Sequence, residues 1–162
     1  MKLELKNVKH SGWASRETHC YEAILYVDDK AFAYVGNDGQ GGADRFDHDP
    51  RFKDISRWRT ISKELEGFCA KKYQWEWEGK SFDGSIESAC HELLTDHLIR
   101  KDFKKCLQKP CFVDGDKITY YKVSSKTPNV FNRIREQIKN PNLVFLNEMP
   151  EDVAFKKYKE VV

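Results

Sequence analysis

No run of roughly 18 apolar residues occurs in this 162-residue chain, which excludes a membrane-spanning helix. The opening stretch, MKLELKNVKHSGW, lacks the apolar segment of an export signal, so a cytoplasmic location is expected. Cysteine is sparse and odd in number: Cys20, Cys69, Cys90, Cys106 and Cys111 are scattered, which suits reduced thiols rather than a disulfide framework. Charge of one sign is missing as well. The 28 lysines and arginines nearly cancel the 26 aspartates and glutamates, leaving +2, too balanced to demand a nucleic-acid partner. There is no low-complexity segment and no repeat beyond two acidic hairpin turns, VDDK and VDGDK. No linker divides the chain, so a single domain over 1–162 is expected, with a weak seam near 79–84 marked by Gly79 and Gly84.

What is present is the composition of a globular protein. Hydrophobic residues make up 40%, and 13% of the chain is aromatic, enough apolar bulk to offset the entropy of ordering it. KLELKNVKH alternates Leu3 and Leu5, slips, and resumes at Val8, as a short strand does. Tyr21 to Val27 and Ala31 to Val35 flank Asp28, Asp29 and Lys30, a hairpin with a tight turn. Its first strand is apolar on both faces, which predicts a central position.

Asp49-Pro50 reads as an N-cap and first helical position. Phe52, Ile55, Trp58, Ile61, Leu65 and Phe68 then predict one amphipathic helix down to Lys72. Tyr73, Trp75 and Trp77 alternate with Gln74, Glu76 and Glu78, either a short strand or an extended excursion. Ser85 caps a second helix with the stripe Ile86, Ala89, Cys90, Leu93, Leu94, His97 and Leu98, and Pro110 stops it. Cys111 to Val123 reads as a second hairpin around Asp114-Gly115. Thr127-Pro128 opens a helix with Val130, Phe131, Ile134 and Ile138 inward. LVFLN reads as a buried strand, and Pro150 starts a last helix with Val153, Ala154 and Tyr158 inward. The Ile118–Val123 strand, the third helix and the Leu143–Leu146 strand would make one parallel crossover. The expected class is α+β: a mixed, mainly antiparallel sheet built from two hairpins and a late strand, packed with about four helices.

The segment from Val35 to Pro50, VGNDGQGGADRFDHDP, is the candidate site. Its glycines match neither GxxxxGK[ST] nor GxGxxG, and Asp38, Asp44, Asp47 and Asp49 would repel a phosphate. Asp44, Asp47 and His48 offer oxygen and nitrogen ligands, but the calcium-loop order fails because the glycines precede the acids. Cys106 and Cys111 form one loose pair, and His91 and His97 sit about 120° apart around a helix, so zinc spacing fails too. There is no G-x-S-x-G nucleophile, and His19 beside Cys20 supplies no base through adjacency alone. No catalytic set, metal site or cofactor is therefore called. Lys71 and Lys72 beside Trp75 and Trp77, with the basic run Arg100 to Lys109, offer a nucleic-acid alternative, diluted by Glu76, Glu78 and Asp102.

Two blocks resemble small uncharacterised accessory proteins of tailed phages and prophages. In AILYVDDKAFAYVGNDGQGG a hairpin runs into an N-D-G-x-G-G loop, carried here by Asn37, Asp38, Gly39, Gly41 and Gly42. VFLNEMPEDVAFKKY resembles their closing element through Asn147, Pro150, Ala154 and Tyr158. The blocks cover about a third of the chain, and Asp47 and Asp49 lie outside the pattern. The resemblance implies a protein that binds a host protein in the host cytoplasm, for example to block a host enzyme or a defence system component. The expectation is a non-enzymatic accessory or inhibitory factor. Its contact surface would comprise Asn37, Asp38, Gly39, Gln40, Gly41, Gly42, Asp44, Arg45, Asp47 and His48, with Trp13, Trp75 and Trp77 as aromatic anchors. The alternative is a small nucleotide- or metal-binding enzyme using residues 37–49.

Overall fold

The computed structural model describes all 162 residues, Met1–Val162, as two compact units, Met1–Thr95 and Asp96–Val162. The division falls inside a long helix, some way beyond the glycine pair that marks an earlier seam in the sequence. The class is α+β. Every strand pairing is antiparallel, and the strands form three separate sheets of four, two and two.

The first unit is built on β1 (Leu3–His10), β2 (Tyr21–Val27), β3 (Lys30–Asn37) and β4 (Arg45–His48), hydrogen-bonded in that order. The slip in β1 is a bulge between Lys6 and Lys9, with Asn7 at φ 54°. The β2–β3 turn places Asp28 and Asp29 both at positive φ, the conformation a two-residue turn needs to match strand twist. Lys2 clips that turn by donating its backbone N–H to Asp28 and its Nζ to Asp29, each at 2.7 Å. Strand β2 lies inside the sheet and buries Ala23, Leu25 and Val27 on one side of the pleat and Ile24 on the other.

Strand β4 has no signature in the sequence pattern. The polar tetrapeptide RFDH reads as loop, yet it pairs residue by residue with β3 from Ala33↔His48 to Gly36↔Arg45. The glycine-rich segment is thus a hairpin loop between two strands rather than a link from strand to helix. Helix α1 (Ile55–Lys72) also starts later than Asp49-Pro50 suggests. The Asp49 carboxylate is fully buried and spent on Arg51, accepting from its backbone N–H at 2.9 Å and from its guanidinium. It makes a turn, and Asp54 caps the helix instead, accepting from Arg57 N–H at 2.9 Å. Phe52, outside the helix, meets the Phe32 ring edge-on, while Trp58 stacks on Phe32 and donates its indole N–H to the Phe32 carbonyl at 2.9 Å. Ile55, expected inward, is exposed; Leu65 and Cys69 carry the buried face.

Trp75–Trp77 is a strand, β5, paired with β6 (Lys80–Phe82) across a turn with Glu78 and Gly79 at positive φ. The base of this hairpin is fixed by Gly84, whose missing side chain is essential: a Cβ there would sit 2.4 Å from the Tyr73 carbonyl and 2.5 Å from that of Cys69. Helix α2 (Ile86–Cys106) follows. Ser85 caps it, exchanging hydrogen bonds with Ser88, and Ala89, Cys90 and Leu94 are its buried residues in the first unit.

In the second unit, β7 (Cys111–Asp114) and β8 (Lys117–Tyr120) form the second hairpin, shorter than Cys111 to Val123. Helices α3 (Val130–Gln137) and α4 (Glu151–Lys159) enclose two clusters, one around Phe103, Cys111, Leu146 and Tyr158 and one around Phe112, Val130, Ile134 and Phe145. LVFLN is not a strand, so the parallel crossover does not form. Phe145 and Leu146 are buried as apolar plugs leading into a 3-10 turn, Leu146–Glu148. Asn147 holds this segment in place of sheet pairing. It accepts the Cys111 N–H at 3.0 Å and donates to the Leu107 and Lys109 carbonyls. Ile138 and Val153, expected inward, are exposed, and Phe155 takes the buried place on α4.

Candidate functional site

The hairpin loop between β3 and β4 is organised from the inside by Asn37. This residue ends β3 and is 5% exposed. Its Oδ1 accepts from the Thr18 hydroxyl at 2.6 Å and the Gly39 N–H at 2.9 Å, and its Nδ2 donates to the Gly42 carbonyl at 3.1 Å and to Asp44 at 3.0 Å. All the hydrogen-bonding capacity of a buried amide is therefore met within the protein. The Gly39 carbonyl accepts from the Arg16 and Glu17 amides, at 3.0 and 3.1 Å, and binds the loop to the residue 11–20 segment. Gly39 has φ +82°, and an added Cβ would lie 2.3 Å from the Ala14 carbonyl, so only glycine fits.

Three further amides are committed too. Gln40 N–H reaches Asp38, Gly41 N–H reaches the Thr18 hydroxyl, and Asp44 N–H reaches the Glu87 carboxylate. A phosphate cradle needs such N–H groups free to aim at an anion, and here four of them already donate internally. What the loop offers outward is small. Asp38, Gln40 and Gly42 are exposed, and Arg45 and Asp47 project from β4. Asp47 and His48 alternate along the strand and so point to opposite faces. His48 contacts the Phe52 carbonyl at 2.8 Å and sits edge-on to Trp58. Asp44, Asp47 and His48 do not converge, and no group of three or more histidines, cysteines or acids is arranged to hold a metal.

Asp44 instead faces a 230 Å³ cavity that sequence reasoning missed, lined also by His19, Tyr21, Glu87 and His91. The Tyr21 hydroxyl donates to Asp44. Burial, the neighbouring Cys90 thiol and the Asp44 carboxylate all push Tyr21 far above the ordinary phenol range, so it stays a proton donor. Burial likewise pushes Cys90 up to about 12 and Cys69 up to about 11, which leaves both as inert thiols. His19 lies 3.3 Å from His10, nitrogen to nitrogen, and 5.6 Å from His91 between ring centres. Burial, and then the two neighbouring imidazoles, lower its pKa. These groups come from β1, β2, the 11–20 segment, the glycine loop and α2. No spacing in the sequence links them; the one available signal, a polar tyrosine–histidine cluster at THCY, is too common to read.

The other candidate surface stands open. All six residues of β5 and β6 are exposed. Trp75 is 48% and Trp77 64% exposed, and Trp75 stacks on Phe82 with ring centres 4.5 Å apart. The register Trp75↔Phe82 and Trp77↔Lys80 puts all four side chains on one face and Glu76 and Ser81 on the other. Trp13, in the segment that clamps Gly39, is 91% exposed.

The basic residues read as a nucleic-acid alternative are partly engaged elsewhere. Lys72 lies over the Phe68 and Tyr73 rings. In the second unit Arg100 pairs with Asp96, Lys105 with Asp102, and Lys109 lies over Tyr120. No helix is long and apolar enough to cross a membrane. Comparisons with family models, with curated proteins and with solved structures find no match to this chain.

Proposed function

We propose that the protein is a non-enzymatic accessory or inhibitory factor that binds a macromolecular partner and blocks it, the partner being a host protein, such as a defence system component, if the chain is phage-encoded. One observation carries this reading. A two-stranded hairpin holds two tryptophans and a phenylalanine on one face, each left substantially exposed, with Trp77 64% and Trp75 48% open to solvent. Exposing that much aromatic surface is costly for a monomer, and tryptophans of this kind dominate the energetics of protein interfaces. The Trp75–Phe82 stack holds the surface rigid before contact, so little side-chain entropy remains to be lost on binding. Asp38, Gln40 and Trp13 are further exposed side chains, on the glycine loop and on the segment that clamps it.

The test is recovery of the partner from host lysate on immobilised protein, with quantitation of the recovered species. Trp75→Ala/Trp77→Ala is expected to lower recovery at least tenfold, and Asp38→Ala/Gln40→Ala to lower it less. Undiminished recovery with the tryptophan double variant would overturn the assignment of the surface.

A second reading, a small ligand-binding enzyme, is favoured only by the cavity where His19, Tyr21, Asp44, Glu87 and His91 face one another. Thermal shift with nucleotides and divalent cations addresses it. A ligand at 100 times its Kd adds about 2.7 kcal/mol of stability. No shift with any compound would set this reading aside.

A further inference from the structure

The aromatic hairpin borders a 720 Å³ groove lined by Tyr73, Trp75, Asp83, Glu87, His91 and Glu92. No lysine or arginine lines it. Its three carboxylates take part in no ion pair. Asp83 accepts only from the Gln74 amide, at 3.3 Å, and Glu87 only from the Asp44 N–H, at 3.2 Å. Glu76 and Glu78, on the adjoining hairpin, are exposed and unpaired as well. Two cations stand nearby, Lys72 over the Phe68 and Tyr73 rings and Lys80 on the aromatic face opposite Trp77, but neither lines the groove or pairs with its carboxylates. The sign is local. The first unit holds 14 lysines and arginines against 17 aspartates and glutamates, net −3, in a chain that is +2 overall.

An aromatic face with carboxylates beside it is the arrangement that recognises a cation. The ring quadrupole attracts the charge, and the carboxylates accept its N–H groups. Among side-chain cations, the guanidinium suits this geometry best, being planar, weakly hydrated and able to stack on an indole while forking to a carboxylate. At 720 Å³ the groove has room for more than one side chain. We infer that this groove receives an arginine-bearing segment of the partner protein, with a guanidinium stacked on Trp75 and paired with Glu87 or Glu92. The inference rests on the proposed partner-blocking role and adds to it the chemistry of the partner.

The test titrates the whole protein with the peptide acetyl-Gly-Arg-Gly-Arg-Gly-amide at low salt, following the Trp75 indole resonance and the heat of binding. Saturable binding is expected. It should weaken at least tenfold in Glu87→Gln/Glu92→Gln, which keeps an acceptor for the Asp44 N–H, and be abolished in Glu92→Lys; thermal melts confirm that both variants fold. Absence of saturable binding overturns the inference. So does unchanged affinity in the double variant, equal binding of the glutamate-containing counterpart peptide, or tighter binding of spermidine, which would mark a small-cation site. Partner recovery separates the two levels. If Trp75→Ala/Trp77→Ala lowers recovery and Glu87→Gln/Glu92→Gln does not, the aromatic surface stands and the arginine inference falls. If neither lowers it, both fall.

Discussion

The glycine loop and the tryptophan hairpin are both short β-turn structures of the first unit, and they use their side chains in opposite ways. Between β3 and β4 the polar groups turn inward. Asn37 meets four partners, Asp44 holds Tyr21, and four backbone amides are satisfied by the protein itself. Between β5 and β6 nothing is consumed, and the largest apolar side chains face water. A sequence rich in glycine and aspartate looks functional because such residues are common in sites, yet the same residues are what a self-satisfied loop requires. The difference lies in where the hydrogen bonds end, and it locates contact chemistry on the aromatic element rather than the glycine one.

That contrast can be broken most directly at its inner side. Gly39→Ala forces a left-handed residue and a clash with the Ala14 carbonyl, and Asn37→Ala strands several buried groups. Each is expected to cost about 3 kcal/mol or more in denaturant unfolding. Gly42→Ala makes a control within the same loop. Its φ of +90° is unfavourable, but a Cβ there meets nothing within 4 Å, so the loss should stay near 1 kcal/mol. Equal losses at the two glycines would mean that the clamp on Gly39 is not what rigidifies the loop. Tyr21→Phe removes one hydrogen bond to a carboxylate and should cost about 1–2 kcal/mol. At the outer element, Trp75→Ala/Trp77→Ala loses the cross-strand stack on Phe82 and should cost only about 1 kcal/mol while lowering partner recovery at least tenfold. A larger loss of stability would show that the hairpin is a structural part of the unit.

The smallest effect is in pH. His19 titrates below its ordinary 6.5 because of burial and the flanking His10 and His91. The unfolded chain therefore takes up that proton first, and the stability contributed by the neutral ring, complete above about 6.5, is lost as pH falls through the lowered folded value. A modest drop in Tm between pH 7 and 5 should flatten in His19→Gln. Asp49 acts in a separate, more acidic window. Arg51 holds its carboxyl below the usual 3.8, so that contribution persists until the pH drops under that value.

Much of the fold is legible in the sequence where one signal acts alone. The Asp28-Asp29 turn, the stripe Ala89, Cys90 and Leu94, and the Ser85 cap need only neighbours along the chain. Reading fails where a distant group intervenes. Asp49-Pro50 is a sound helix start until Arg51 takes the carboxylate, after which Asp54 is the next available cap. Arg45–His48 becomes a strand because β3 has an open edge, not because those four residues favour one. Leu143–Leu146 has the composition of a strand but pairs with none, and the neighbouring Asn147 side chain anchors it to the backbone of Leu107, Lys109 and Cys111 instead. The first strand of the tryptophan hairpin shows as an alternation open between strand and extended excursion, while its partner Lys80–Phe82 carries no such signal. The His19–Tyr21–Asp44–His91 cavity carries none either, since its members come from separate elements that only the fold brings together.

The distribution of indoles gives the molecule its own optical readout. Trp58 is half-buried against Phe32 and Phe46, whereas Trp13 and Trp77 stand mostly in solvent and Trp75 about half so. The native emission spectrum should already be red-shifted and readily quenched by iodide, and denaturation should move it little. Docking of a partner on the hairpin would shift the emission to the blue and shield it from quencher, so that binding changes the spectrum more than unfolding does.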